Sequence, residues 1–202
     1  PYTDHSRWYA GSGICREVWL YVGEEDHIPP HGVKVTTLSH SPAVIRAECE
    51  SEGDVRYTVL HGETPVAYGA GKSTEITVPN AELWSAENPN LYTLKVELFK
   101  DGTKIDETYQ KFGIRTLAWS AEAGFLVNGK RTLLRGGCIH ADNGVLGMVT
   151  TRKTELRRAR KIKAAGFNAI RSAHHPMSPA LLEACDESGL YAVSYTHLRA
   201  HE

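Results

Sequence analysis

The sequence has 202 residues, 41% hydrophobic and 23% charged, with 23 Lys and Arg against 24 Asp and Glu for a formal net charge of −1. That length suits one large or two small domains with a sizeable core, and the composition excludes a disordered chain, a collagen-like repeat and a disulfide-dense miniprotein. Near-neutrality removes any global drive toward nucleic acid or anionic membrane, and no run approaches ~18 apolar residues, so no transmembrane helix is expected. The sequence opens Pro-Tyr-Thr-Asp-His, with neither an initiator Met nor an apolar signal core, and is expected to be a piece of something longer. Cys15, Cys49, Cys138 and Cys185 are spaced too widely for a zinc or CxxC pattern. They read as free thiols and leave the compartment open.

Taken in order, residues 18–22 (Val-Trp-Leu-Tyr-Val) form a short β-rich run. Strands are predicted at 33–38 and 43–48 around the turn-forming Ser39-His-Ser-Pro42, then at 55–60, 64–68 and 74–78. Residues 91–99 alternate over their later part, with Leu94, Val96 and Leu98 on one face. They stop at Asp101-Gly102, a hairpin signal whose partner strand runs 103–115. Short strands at this spacing predict an antiparallel sandwich, and 31–117 is enough for one immunoglobulin-sized domain.

After Trp119 the pattern changes. Residues 125–130 read as a hairpin turning at Asn128-Gly129, and 132–139 as an apolar strand. Thr151 caps a helix from Arg152 to about Ala165, with Leu156, Ala159 and Ile162 as its buried stripe and Gly166 at C′. Residues 167–171 form a strand, Ser178-Pro179 opens a second helix that Gly189 closes, and 190–193 begins another strand. Strand, helix, strand, helix, strand implies right-handed parallel βαβ units, opening either a doubly wound sheet or a (β/α)8 barrel. In both, ligands gather at the carboxyl ends of the strands. The basic run Arg152, Lys153, Arg157, Arg158, Arg160, Lys161 and Lys163 lacks interleaved aromatics and reads as a solvated helix face.

Two strand ends carry the candidate chemistry. His140 follows the first parallel strand, ahead of Ala141-Asp142-Asn143-Gly144. Arg171 ends the second, ahead of Ser172-Ala-His174-His175-Pro176. Neutral imidazole both donates and accepts, which matches sugar hydroxyls, and guanidinium offers a rigid donor fork. The alternative is that these side chains only satisfy loop carbonyls. A metal set of His140, Asp142, His174 and His175 competes less well, since the adjacent histidines do not easily face one ion. No GxSxG, no Cys–His signature and no phosphate-cradling Gly-rich loop is present.

Several phrases then resemble one family in order. Residues 7–20 (Arg-Trp-Tyr-Ala-Gly-Ser-Gly-Ile-Cys-Arg-Glu-Val-Trp-Leu) and 27–33 (His-Ile-Pro-Pro-His-Gly-Val) are similar to the end and exit of the N-terminal jelly roll of glycoside hydrolase family 2. Residues 83–94, with Trp84-Ser-Ala-Glu-Asn-Pro-Asn90 inside them, and Lys111-Phe-Gly-Ile-Arg115 resemble its immunoglobulin-like domain. Residues 125–130 with Leu134-Arg-Gly-Gly-Cys-Ile-His140, and Ala165-Gly-Phe-Asn-Ala-Ile-Arg-Ser-Ala-His-His-Pro176, resemble the opening of its barrel. The resemblance spans 1–193 and looks most like bacterial β-galactosidase-type members.

It implies a multidomain chain, β then α/β: an immunoglobulin-like β-sandwich followed by the start of a (β/α)8 TIM barrel. The expected domains are a jelly-roll tail at 1–30, the sandwich at 31–117 and the first part of the barrel at 118–193. Residues 194–202 (Ser-Tyr-Thr-His-Leu-Arg-Ala-His-Glu) are similar to a translated transposon-end sequencing adapter and are expected to be non-native. By position, His140, Arg171 and His174 match the family's residues that line the −1 sugar subsite. The family's acid/base and nucleophile lie on later barrel strands, so no catalytic residue is expected here. Glu183 and Glu187 fall on the second helix, away from the strand ends.

The expected function is thus a piece of a retaining β-glycosidase hydrolysing O-glycosyl bonds, most of all in β-galactosides, and itself inactive. No metal and no cofactor is expected. The expected partner is a carbohydrate substrate, with no nucleic acid, no membrane and self-association of the parent left open. The rival reading is a non-catalytic carbohydrate-binding or β-sandwich interaction module, against which the βαβ pattern of 132–193 argues. A metal-dependent hydrolase using His140 and His174 is a third, which bound metal in a purified sample would favour.

Overall fold

The computed structural model describes residues 14–173 and 176–194. They fall into two compact units: one spans Leu20–Thr132, and the other gathers the chain from Leu133 onward with the described residues before Leu20.

In the first unit, β1 (Val33–His40), β2 (Ala43–Cys49) and β5 (Ser73–Thr77) make a three-stranded antiparallel sheet in the order β1-β2-β5. The strands β3 (Asp54–His61), β4 (Thr64–Ala70), β6 (Tyr92–Lys100) and β7 (Thr103–Phe112) make a four-stranded antiparallel sheet in the order β4-β3-β6-β7. Period-two alternation decides the inner faces: Ala43, Ile45, Ala47 and Cys49 on β2, and Tyr92, Leu94, Val96 and Leu98 on β6, are buried between half-exposed neighbours. These faces share one core with Val55, Tyr57, Val59 and Ile76, which makes the pair of sheets a sandwich. Each fully buried Val, Leu or Ile contributes about 1.5–3 kcal/mol. Asp101 (φ 50°) and Gly102 (φ 78°) take the left-handed values of a two-residue hairpin between β6 and β7. Beside the core, fully buried Trp84 lies under the Arg115 guanidinium, 4.3 Å from the ring centroid.

The same unit holds a smaller antiparallel sheet, β10-β9-β8, built from β8 (Leu117–Ser120), β9 (Gly124–Val127) and β10 (Lys130–Arg131). Asn128 (φ 51°) and Gly129 (φ 74°) form its predicted turn. The Asn128 side chain anchors it: Nδ2 donates to the Trp84 carbonyl at 3.1 Å and Oδ1 accepts from the Thr116 amide at 3.0 Å.

In the second unit, β11 (Gly136–Ile139), β12 (Ala169–Ser172) and β13 (Tyr191–Val193) are parallel neighbours in that order. They are joined by α1 (Arg152–Ala164) and α2 (Pro179–Ser188). Both helices begin as their sequence dictates. Thr151 and Thr154 close a reciprocal capping box on α1, and the Ser178 side chain accepts from the Leu181 amide ahead of Pro179 at the first turn of α2. Gly189 ends α2 in the left-handed conformation (φ 71°, ψ 52°). The helices cover one sheet face, with Ala159, Leu181, Ala184 and Cys185 sharing a buried cluster with Ile170 and with Leu190 just after α2.

Four sequence expectations need correction; in the first, the strand expected over 103–115 ends at Phe112. Residues 18–22 form no strand, and Val18, Trp19, Leu20, Tyr21 and Val22 are exposed. β propensity reflects a fit to neighbouring strands, and among the described residues this run lies in no sheet. The strand expected over 132–139 is confined to Gly136–Ile139, and the one expected over 167–171 begins at Ala169. Asn168 explains both. Its Oδ1 accepts from the Arg135 amide at 2.7 Å and its Nδ2 donates to the Leu133 carbonyl at 2.9 Å, so a side chain takes the groups a ladder would use. Pairing starts at Gly136, where a Cβ would run into the Ala169 carbonyl.

Candidate functional site

The carboxyl ends of β11 and β12 lie side by side, with Ile139 opposite Ser172 and the Ala173 amide donating to the Ile139 carbonyl at 2.8 Å. His140 leaves the end of β11 and is half-buried. The loop after it folds on itself: the Asp142 amide donates to the His140 carbonyl at 2.8 Å, and the Gly144 amide to Asp142 Oδ1 at 2.9 Å. The Asn143 amide donates to the Gly147 carbonyl at 2.8 Å, closing the turn around the short 3₁₀ segment Gly144–Leu146. Asp and Asn suit this path because their side chains bond backbone groups two residues on.

α1 braces the loop from behind. Arg158 donates from Nη1 to the His140 carbonyl at 3.1 Å and from Nη2 to Asn143 Oδ1 at 3.0 Å. One turn earlier, Glu155 is 1% exposed and sits 3.5 Å from Arg158 Nη1 through Oε2, an oxygen that accepts no hydrogen bond among the described residues. Burial pushes the Glu155 carboxyl above the ordinary carboxylate range, against the opposing pull of Arg158, Asn143 and Arg16. Arg16 donates from Nη2 to the Pro176 carbonyl at 2.7 Å, in the loop after β12. Arg16, His140, Glu155, Arg158, Ser172 and Ser178 line a cavity of about 20 Å³, room for one water.

Arg171 is exposed, and its neighbours Ile170 and Ser172 are buried on the other face of β12. Its Nη1 donates to Cys138 Sγ at 3.5 Å, across the Cys138–Arg171 register pair. The structure therefore sets His140 in the cavity at the strand ends and Arg171 on the sheet face turned away from the helices, on adjacent strands. His174 lies outside the described residues, as do His175 and residues 195–202. Glu183 and Glu187 pair with Arg152, at 3.5 and 3.0 Å, and so tie α2 to α1. Among the described residues no three His, Cys, Asp or Glu side chains converge as metal ligands.

Sequence reasoning missed Glu155, Arg158 and Arg16. The basic run on α1 is mostly solvated as expected, but the Arg158 side chain is only 15% exposed. The available signal was helical spacing: Glu155 stands four residues before fully buried Ala159, on the same face.

Comparisons with known proteins agree with this architecture. The model of glycosyl hydrolases family 2 matches residues 32–115, and the model of that family's TIM barrel domain matches residues 121–202. A β-galactosidase of Bacteroides ovatus is 31% identical over 92% of this chain, and the chain spans 24% of that protein's length. The crystal structure of a family 2 member from Bacteroides cellulosilyticus matches with a TM-score of 0.84 and 38% identity, over 92% of this chain and 29% of that one. A β-D-glucuronidase of Dictyoglomus thermophilum matches with a TM-score of 0.75 and 28% identity, over 84% of this chain and 29% of that one. The sandwich is thus followed by the start of a TIM barrel, not of a doubly wound sheet.

Proposed function

The chain belongs to glycosyl hydrolase family 2, and from that membership we propose that the whole protein is a retaining β-glycosidase acting on β-galactosides. The observation that carries the reading is the ordered match of sandwich and barrel models along one chain. The Bacteroides ovatus β-galactosidase supports the galactoside; the Dictyoglomus thermophilum β-D-glucuronidase makes a glucuronide a competing substrate. Retention needs two carboxyl groups about 5–5.5 Å apart across the glycosidic bond, one as nucleophile and one as acid then base. In this proposal both come from barrel strands after β13, and the present residues contribute the scaffold and sugar contacts. His140, Arg171 and His174 hold hydroxyls of the sugar at the reacting centre. Neighbouring parallel strands are about 4.8 Å apart, so side chains leaving the ends of β11 and β12 can reach one ring. A hydroxyl contact that tightens as the ring flattens favours the transition state over the ground state.

The test is to express the complete reading frame that contains this sequence beside the 202-residue chain, and to assay both on chromogenic β-galactoside, β-glucuronide and β-mannoside. The complete protein is expected to turn over the galactoside best, and the 202-residue chain none of the three. A preference for the glucuronide overturns the substrate assignment, and turnover by purified 202-residue chain overturns the placement of the carboxylates.

A further inference from the structure

We infer that Glu155 is a positioning residue that fixes both strand-end loops of the candidate sugar site through two arginines. A carboxylate 1% exposed on a helix is costly unless something requires it, because burial strips its water without returning a full set of hydrogen bonds. Here the returns are an ion pair with Arg158 and the positive charge of Arg16 across the shared cavity, and each arginine holds a different loop. Arg158, 3.5 Å from the carboxylate, bridges the His140 carbonyl and Asn143 Oδ1 after β11. Arg16, which lines the same cavity, holds the Pro176 carbonyl after β12. The Cys15 carbonyl also accepts from the Thr150 amide at 3.4 Å, so the segment carrying Arg16 is tied to the residue just before the Thr151 cap of α1. A planar fork bridging two acceptors fixes direction as well as distance, which a lysine at 158 does not do. Removing the carboxylate leaves the half-buried Arg158 guanidinium without its counter-charge and takes a negative charge from the cavity that Arg16 also lines, and the loops they hold gain freedom.

The purpose of this device rests on the sugar-binding reading of the loops; its geometry does not. The test begins with amide hydrogen exchange on the 202-residue chain, comparing wild type with Glu155→Gln and Arg158→Lys. Hydrogen bonds to buried charged groups are strong enough that their loss is expected to lower protection at Asp142, Asn143 and Gly144 about tenfold. The change should be confined to the loops, with β12 and α2 amides of the same unit unmoved. Uniform loss across the unit, or none, overturns the inference, since a residue serving only stability lowers protection everywhere. If Glu155→Gln fails to fold, Arg158→Lys decides the matter alone: it keeps the ion pair and loses the bridge. In the complete protein, Glu155→Gln is then expected to lower kcat on the chromogenic β-galactoside about tenfold. Loop-confined loss with unchanged kcat on an active wild type overturns the link to the site. A complete wild type inactive on every β-glycoside overturns the functional reading instead, and the exchange result stands or falls separately.

Discussion

Cys138 and Cys185 share one unit and differ in exposure. Cys138 is exposed on the open sheet face beside Arg171, whereas Cys185 is 1% exposed within the helical layer, where burial pushes its thiol up to about 12. Burial likewise pushes up Cys49 in the sandwich core. Since the thiolate is the nucleophile, Ellman's reagent at pH ~8 is expected to label Cys138 in the folded chain and to reach Cys49 and Cys185 only in denaturant. The same shift sets a sign for alkaline stability. The native state holds the Cys185 proton more tightly than the unfolded one. Its contribution is therefore fully present below the ordinary thiol value near 9 and is lost as pH rises to about 12. Urea midpoints across that window should fall less steeply for Cys185→Ala than for wild type. At the candidate site, His140→Ala in the complete protein is expected to lower kcat and raise KM, by about 2–4 kcal/mol if the contact resembles an oxyanion-hole donor. Unchanged kinetics would return His140 to an ordinary loop residue.

At the level of elements, the helices are fixed by chemistry written locally, and the short barrel strands are not. Thr151, Ser178, Pro179 and Gly189 act within a few residues of where they stand, so both helix boundaries were legible. The start of β11 depends on Asn168, more than 30 residues away, whose amide claims the backbone at 133 and 135. No local pattern carries that information. The buried face of α1 shows the same limit: Ala159 was legible from spacing, but Glu155 is buried beside Arg158, an ion pair that hydrophobic periodicity does not register. Two substitutions probe these elements. Thr151→Ala removes the capping box and is expected to cost about 1 kcal/mol by urea unfolding. Gly136→Ala drives a methyl into the Ala169 carbonyl and should part β11 from β12, lowering the stability of that unit while leaving the sandwich transition where it was.

Across the whole molecule, the two units differ in how completely they close. The sandwich buries the inner faces of both sheets in a single core. The parallel sheet is covered by helices on one face, leaves Cys138 and Arg171 exposed on the other, and ends in β11 and β13 with one paired edge each. Parallel sheets are stable chiefly when both faces are covered. Limited proteolysis is therefore expected to leave a resistant product covering Val33–Phe112 and to digest the unit after Leu133 first. Equal protection of both units would contradict this account. The sandwich was legible at this scale because short strands recur between turn signals and β2 and β6 alternate strictly, and His140 and Arg171 were legible as residues at or next to strand ends. The bracing behind them was not, because it joins Arg16 to Pro176 across 160 positions.

The burial of Trp84 has a practical consequence. Trp84 has no exposed surface and is capped by Arg115, whereas Trp19 and Trp119 are 69% and 78% exposed. Iodide in the surrounding water will reach the emission of the latter two and not that of Trp84. Trp8 lies outside the described residues; with Trp8 replaced by Phe, the unquenched, blue-shifted share of the fluorescence reports one ring in one unit, and its disappearance in denaturant marks the opening of the sandwich without any label attached.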